Sequence, residues 1–258
     1  MSEPDDILTC ADRDGVRLLT LNRPRRRNAI DTALGQALLQ GLREADADPA
    51  VGAVVIAGNG PVFCAGADLA EFKGERASPA GQEFRSQVNL DLLLAFSQVA
   101  LPVLCAVQGA ALGLGAALVN VADLAVFGRG ARLGYPEVGH GMVPSLMIPV
   151  VQKMVGAKQA FEVLTNSDAL SADQALALGL CNRVVDDAEV LAVTSAWAAR
   201  LAALDRTVLR ETKLLIGSMR PLDLADALRF GTEASRRRAA AAQLQALGGT
   251  VPPATSTH

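Results

Sequence analysis

The sequence predicts an α/β core that gives way to a helical C-terminal region. From Val51 to Phe127, short continuous apolar runs alternate with segments of helical spacing, the pattern of strands joined by crossover helices. Beyond Pro144 the strand signals nearly vanish. Composition agrees: of 258 residues, 50% are hydrophobic, 20% charged and only 3% aromatic, which describes a soluble protein packed with Ala, Val and Leu in one or two domains.

The elements follow in order. Ile7 to Cys10 and Val16 to Asn22 are apolar-rich, and Asp14-Gly15 between them signals a tight hairpin turn. Asp31 can N-cap a helix whose apolar positions Leu34, Leu38, Leu39 and Leu42 keep helical spacing, with Pro49 closing it. Val51 to Ala57 reads as a strand buried on both faces. Gly81 to Ser97 then predicts a helix, Val103 to Val107 a strand, Leu112 to Val121 a helix, and Asp123 to Phe127 a strand. Ser171-Ala-Asp-Gln174 is a capping box, Gly179 suits the stop of that helix, and Leu180 to Val185 is one last strand. From Ala188 the chain reads as mostly helical: Asp205 caps a helix through Ile216, and Pro221 opens a long helix to about Leu247. The tail GGTVPPATSTH is expected to be disordered. These signals divide the chain into a core over residues 1–200 and a helical region over 201–258.

Several function classes are disfavoured. The net charge is −3, and the dense basic runs are confined to Arg25–Arg27 and Arg236–Arg238, without the aromatic-studded basic face of a nucleic-acid binder. Cys10, Cys64, Cys105 and Cys181 are widely spaced and the histidines are His140 and His258, so neither a metal cluster nor a disulfide framework is expected. The uncharged stretch Leu92 to Ala122 is long enough to span a bilayer, but Pro102, Gln98, Gln108, Asn120 and its glycines break it into buried core elements. The acidic opening MSEPDDILT lacks the order of a signal peptide and favours the cytoplasm.

Three stretches carry chemistry. "GNGPVFCAGADLAEF", from Gly58, and "GAALGLGAALVNVAD", from Gly109, are both Gly-rich turns between a buried strand and a helix start. Such turns expose backbone N–H groups, and two on neighbouring strands can hold one developing oxyanion, each donor contributing about 2.7–4 kcal/mol. The alternative is that the glycines serve close helix–strand packing. A dinucleotide fingerprint is incomplete, because Leu118 occupies its third glycine position. In "RLGYPEVGHGMVPS", Glu137 stands in an apolar Gly/Pro-rich context suited to a general base with a raised pKa, or it is a surface glutamate in a turn. A catalytic role for His140, three residues on, is the minor reading, and Cys64 reads as packing.

Together with "LTLNRPRRRNAI" and "LSADQALALGLCNRVV", these stretches resemble the crotonase superfamily, also called the enoyl-CoA hydratase/isomerase family, over most of the chain. The resemblance implies a spiral of ββα units followed by C-terminal helices that mediate a homotrimer, often a dimer of trimers. It also implies an acyl-CoA thioester as substrate, so that coenzyme A is part of the substrate and no separate cofactor is needed. Carried over by position, the oxyanion hole falls on the N–H groups of Ala67 and Leu114, with Ala65, Gly66, Asp68, Leu69, Ala70 and Gly113 lining the site. The arginines Arg25–Arg27 lie where the family places the CoA nucleotide, and Glu71 to Gln87 is expected to form a mobile wall of the acyl pocket. Of the two hydratase glutamates, one survives as Glu137 and the other falls on Ala117.

Water addition needs a positioned nucleophile and a proton donor, whereas moving a double bond needs one base. The sequence therefore favours enoyl-CoA isomerisation with Glu137 as acid/base. A 2-enoyl-CoA hydratase (a lyase) and a non-catalytic acyl-CoA-binding protein are the alternatives.

Overall fold

The computed structural model describes residues 6–72, 78–166 and 168–246. The chain runs β1 (Leu8–Arg13), β2 (Val16–Leu21), α1 (Thr32–Ala47), β3 (Ala53–Gly58), α2 (Pro79–Gln98), β4 (Val103–Val107), β5 (Ala110–Leu112) and α3 (Leu114–Val121). It continues with β6 (Leu124–Gly128), β7 (Arg132–Gly134), α4 (Ile148–Gln152), α5 (Ala157–Thr165), β8 (Leu170–Ser171), α6 (Ala172–Ala177), β9 (Arg183–Val185), α7 (Val190–Ala202), α8 (Arg206–Met219) and α9 (Leu224–Ala246). The chain forms two compact units, residues 1–210 and 211–258. Within the first, Arg206 donates to the carbonyls of Asp48 and Asp46, both at 2.7 Å.

The first unit is built on a six-stranded sheet of order β1-β2-β3-β4-β6-β9. Only the β1–β2 hairpin is antiparallel. At its turn Asp14 (φ 53°) and Gly15 (φ 72°) are both left-handed, the geometry that matches strand twist in a two-residue loop. Every residue of β3 and β4 is buried, since each strand is covered on both faces. Alternation decides which side chain goes where. Val54 and Ile56 pack with Leu34, Leu38 and Leu42 of α1, Leu92 and Phe96 of α2, and Leu118 of α3. Val55, Leu104 and Ala106 pack on the opposite face with Val190 and Ala198 of α7.

A three-stranded sheet, β5-β7-β8, was not apparent in the sequence, because strands of two or three residues carry no periodic signal. It also corrects the helix expected from Leu112: residues 110–112 pair with β7, and the helix begins at Leu114. The uncharged stretch of 92–122 divides among the end of α2, β4, β5 and α3. Among the described residues no helix is long and apolar enough to cross a membrane.

Two further expectations are revised, and a third lies outside the described residues. The last helix starts at Leu224 rather than Pro221, because Asp223 caps it by accepting from Asp226 N at 2.8 Å. The stretch expected as a mobile wall is structured at both ends. Glu71 is buried in a 3₁₀ turn, and Ser78 caps α2; positions 73–77 lie outside the described residues. The C-terminal tail GGTVPPATSTH does too. The second unit contains most of α8 and all of α9, joined by an ion pair between Glu211 and Arg238.

Candidate active site

After β3 the chain turns and runs from Phe63 to Asp68 between two partners. On one side Cys64 N donates to Ala110 O (3.0 Å), and Leu112 N to Cys64 O (3.0 Å). On the other, Ala65 N donates to Arg27 O (2.9 Å), Ile30 N to Gly66 O (2.8 Å) and Asp68 N to Ile30 O (2.8 Å). A trans peptide sets the N–H of Ala67 opposite the Gly66 carbonyl, and so away from Ile30. It meets no acceptor among the described residues. Gly66 has φ +102°, and a side chain there would stand 2.9 Å from Leu112 O and 3.7 Å from Leu114 N. A glycine is needed for both reasons, and the two Gly-rich turns meet at this point.

The second turn pivots on Gly113 (φ +51°), whose N–H donates to Gly134 O at 2.9 Å and whose carbonyl accepts from Ala117 N at 2.9 Å. Leu114 then opens α3. Its N–H is one of the helix's unpartnered first-turn donors, and no acceptor meets it among the described residues.

Glu137 follows β7 and precedes a 3₁₀ turn over Val138–His140. A Cβ built on Gly113 would lie 2.6 Å from Glu137 Oε1, so the carboxylate rests directly against the second turn. Its Oε2 is buried and has no hydrogen-bond partner among the described residues. Burial pushes the Glu137 pKa above its ordinary value, offset in part by its own backbone amide and by His140. His140 is exposed, and its amide donates to Glu137 O at 3.0 Å. The buried Tyr135 hydroxyl accepts from Asn120 Nδ2 at 2.8 Å, which fastens the approach to Glu137 onto α3. One turn beyond Gly113, Ala117 is fully buried. Two unpartnered N–H groups beside a carboxylate of raised pKa can polarise a carbonyl and remove a proton next to it.

The sequence profile of the family described as enoyl-CoA hydratase/isomerase matches residues 11–231. The chain belongs to this family. A Thermus thermophilus protein named as an enoyl-CoA hydratase is 37% identical over 227 residues, covering 87% of this chain and 89% of that protein. The short-chain-enoyl-CoA hydratase of Clostridium acetobutylicum is 30% identical over 221 residues, with 85% and 84% covered. The solved structure of an enoyl-CoA hydratase from Mycobacterium smegmatis superposes with a TM-score of 0.84 at 31% identity, covering 96% of this chain and 99% of that one. The fold is thus the family's, and the chain is an enzyme of hydratase/isomerase type.

Within this family fold, the other residues singled out by sequence take distinct places. Ala65 is half-buried, and Leu69 and Ala70 are exposed just beyond Ala67. Asp68 is buried, with both carboxylate oxygens engaged: Oδ2 by Arg23 Nη2 (3.1 Å) and Oδ1 by Ala70 N (3.0 Å). Its side chain is held by these two partners. Arg25, Arg26 and Arg27 are exposed on a turn whose last carbonyl bonds Ala65. Burial drives the Cys64 thiol pKa up to about 12, consistent with packing. Among the described residues no group of three His, Cys, Asp or Glu side chains is placed to hold a metal ion.

Sequence reasoning passed over Arg23 and Asn28. Asn28, fully buried with φ +53°, donates through Nδ2 to Asn59 O (3.0 Å) and Val62 O (2.7 Å), and its Oδ1 accepts from Arg23 N. It ties the arginine turn to the first Gly-rich turn. The signal available was its place in "RPRRRNAI", which shows a polar residue but not its distant partners.

Proposed function

We propose that the protein moves the double bond of an enoyl-CoA between C3 and C2, with Glu137 as its single base and the Ala67 and Leu114 N–H groups as the oxyanion hole. The observation that carries this is the Glu137 carboxylate lying against Gly113 with a buried, unpartnered oxygen, while the position of a second hydratase glutamate is the apolar Ala117. With a 3-enoyl-CoA, Glu137 takes a proton from C2. The C–H electrons conjugate into the thioester and negative charge builds on its oxygen, where two amide donors stabilise the dienolate. Return of the proton at C4 leaves the double bond between C2 and C3. One carboxylate performs both transfers, so no metal or separate cofactor is required.

Coenzyme A enters as part of the substrate. The exposed Arg25–Arg27 turn, bonded to Ala65, supports contact with its phosphates, and the backbone from Ala65 to Ala70 with Gly113 lines the acyl end. The exposed apolar side chains of Leu214 and Ile216 in α8, and of Leu224, Leu228 and Phe230 in α9, support a homotrimer or a dimer of trimers.

The names of the relatives favour a second reading, hydration of 2-enoyl-CoA. Turnover of 3-enoyl-CoA and 2-enoyl-CoA by the native protein and by Glu137→Gln separates the two. Isomerisation of the 3-enoyl substrate, lost in the variant, is the expected outcome; water addition as the sole reaction selects the hydratase. Tight acyl-CoA binding without turnover of either would make the protein a binding module.

A further inference from the structure

Beside the candidate site lies a buried cluster that the proposed chemistry does not use. Arg23, two residues past the end of β2, is 6% exposed. Its Nη1 lies 3.0 Å from Asp31 Oδ2 and donates to Ala29 O at 2.7 Å, while Nη2 lies 3.1 Å from Asp68 Oδ2. Two carboxylates thus share one guanidinium. Asp31 is also the N-cap of α1, its Oδ1 accepting from Leu34 N at 2.8 Å, so the positive end of that helix offsets the surplus negative charge.

The position of Asp68 gives the cluster its meaning. It follows Ala67 directly, and its backbone N–H and the Gly66 carbonyl are the two groups that bond Ile30. Ala67 sits between those two bonds, so a shift of Asp68 would swing the Ala67 N–H. A second tether acts three residues later, where Glu71 Oε2 accepts from Thr32 N (2.9 Å) and Thr32 Oγ1 (3.0 Å) in the first turn of α1. The loop is therefore pinned to the start of α1 on the far side of Ala67 from the second Gly-rich turn.

We propose that Arg23 is a positioning residue for the Ala67 donor, acting through Asp68 and sharing its charge with Asp31. The proposal rests on the reading of Ala67 N–H as half of the oxyanion hole. Arginine suits the role because its planar fork meets two carboxylates at once, which an ammonium cannot do with fixed geometry. A donor displaced by a fraction of an ångström still excludes water and still binds CoA, but polarises the thioester oxygen less.

The test uses the full-length protein and hexanoyl-CoA carrying a ¹³C label at the thioester carbonyl, with Arg23→Lys, Arg23→Gln and Asp68→Asn as variants. Circular dichroism and thermal unfolding identify those that fold. Arg23→Lys, which keeps the charge and loses the fork, is the mildest change. In the native protein, binding is expected to lower the carbonyl stretching frequency, as two hydrogen bonds to the oxygen would. In folded variants the shift should shrink and kcat on enoyl-CoA fall roughly 10- to 100-fold with little change in KM, the lysine variant retaining most. A native-sized shift and unchanged kcat in folded variants would overturn the positioning role while leaving the oxyanion hole intact. Absence of any shift in the native protein would overturn both. If only the lysine variant folds, its shift alone decides.

Discussion

Glu137 carries opposite demands at a single residue. Burial that raises its pKa makes it a better base for a carbon acid, and the same burial opposes its charged form in the folded protein. The acid limb of kcat/KM should therefore lie above the ordinary glutamate range, and Glu137→Gln should lower kcat roughly 10²- to 10⁴-fold, as pH-dependent steady-state assays would reveal. Stability should move the other way. With the native pKa raised above the unfolded one, the contribution of this group to folding is present below the ordinary glutamate pKa and is lost as pH rises through the native value. Glu137→Gln should accordingly melt higher than the native protein at neutral pH and match it in acid, which calorimetry at both pH values checks. Gly113→Ala tests the contact itself: the added methyl meets Glu137 Oε1 and the φ of +51° disfavours any side chain. A loss of about 10²-fold in kcat with the fold retained is expected. The sequence proposes Glu137, Ala67 and Leu114 because they sit in contiguous motifs. Arg23 and Asn28 were not legible, since the partners that tie them to the first Gly-rich turn, Asp68, Asn59 and Val62, are more than thirty positions away.

Among elements, those legible in sequence have strong local chemistry. The Asp14-Gly15 turn, the Asp31 cap of α1 and the Ser171–Gln174 capping box of α6 all stand where their side chains predict. Strands β5, β7 and β8 are defined by their neighbours instead, and β5 and β7 are the ones that bring the two Gly-rich turns and Glu137 together. Leu38 lies on the apolar face of α1 and is fully buried, so Leu38→Ala should cost about 2–5 kcal/mol in urea unfolding. The bond between α3 and the segment after β7 is smaller in effect but closer to function. Tyr135→Phe leaves Asn120 Nδ2 buried without that acceptor, and a loss of about 1–3 kcal/mol is expected in the same experiment. An unchanged midpoint would mean that another acceptor replaces the hydroxyl.

For the whole molecule, a sheet sealed by helices on both faces leaves its chemistry to the turns beside it, which is why residues distant in sequence share one site. The α/β core was readable from alternation. The hydrogen bonds that Arg206 makes to Asp46 and Asp48 were not, because they are long-range. The proposed trimer predicts that Leu228→Asp combined with Phe230→Asp lowers the sedimentation coefficient to that of a monomer, and an unchanged value would remove α9 from the interface. The central claim is that one carboxylate performs the proton transfer against a two-amide oxyanion hole. Its most direct measurement is the conversion of 3-enoyl-CoA to 2-enoyl-CoA, followed together with deuterium incorporation from D₂O, in the native protein and in Glu137→Gln. Conversion that depends on Glu137 is predicted, and equal rates in the two proteins would contradict it.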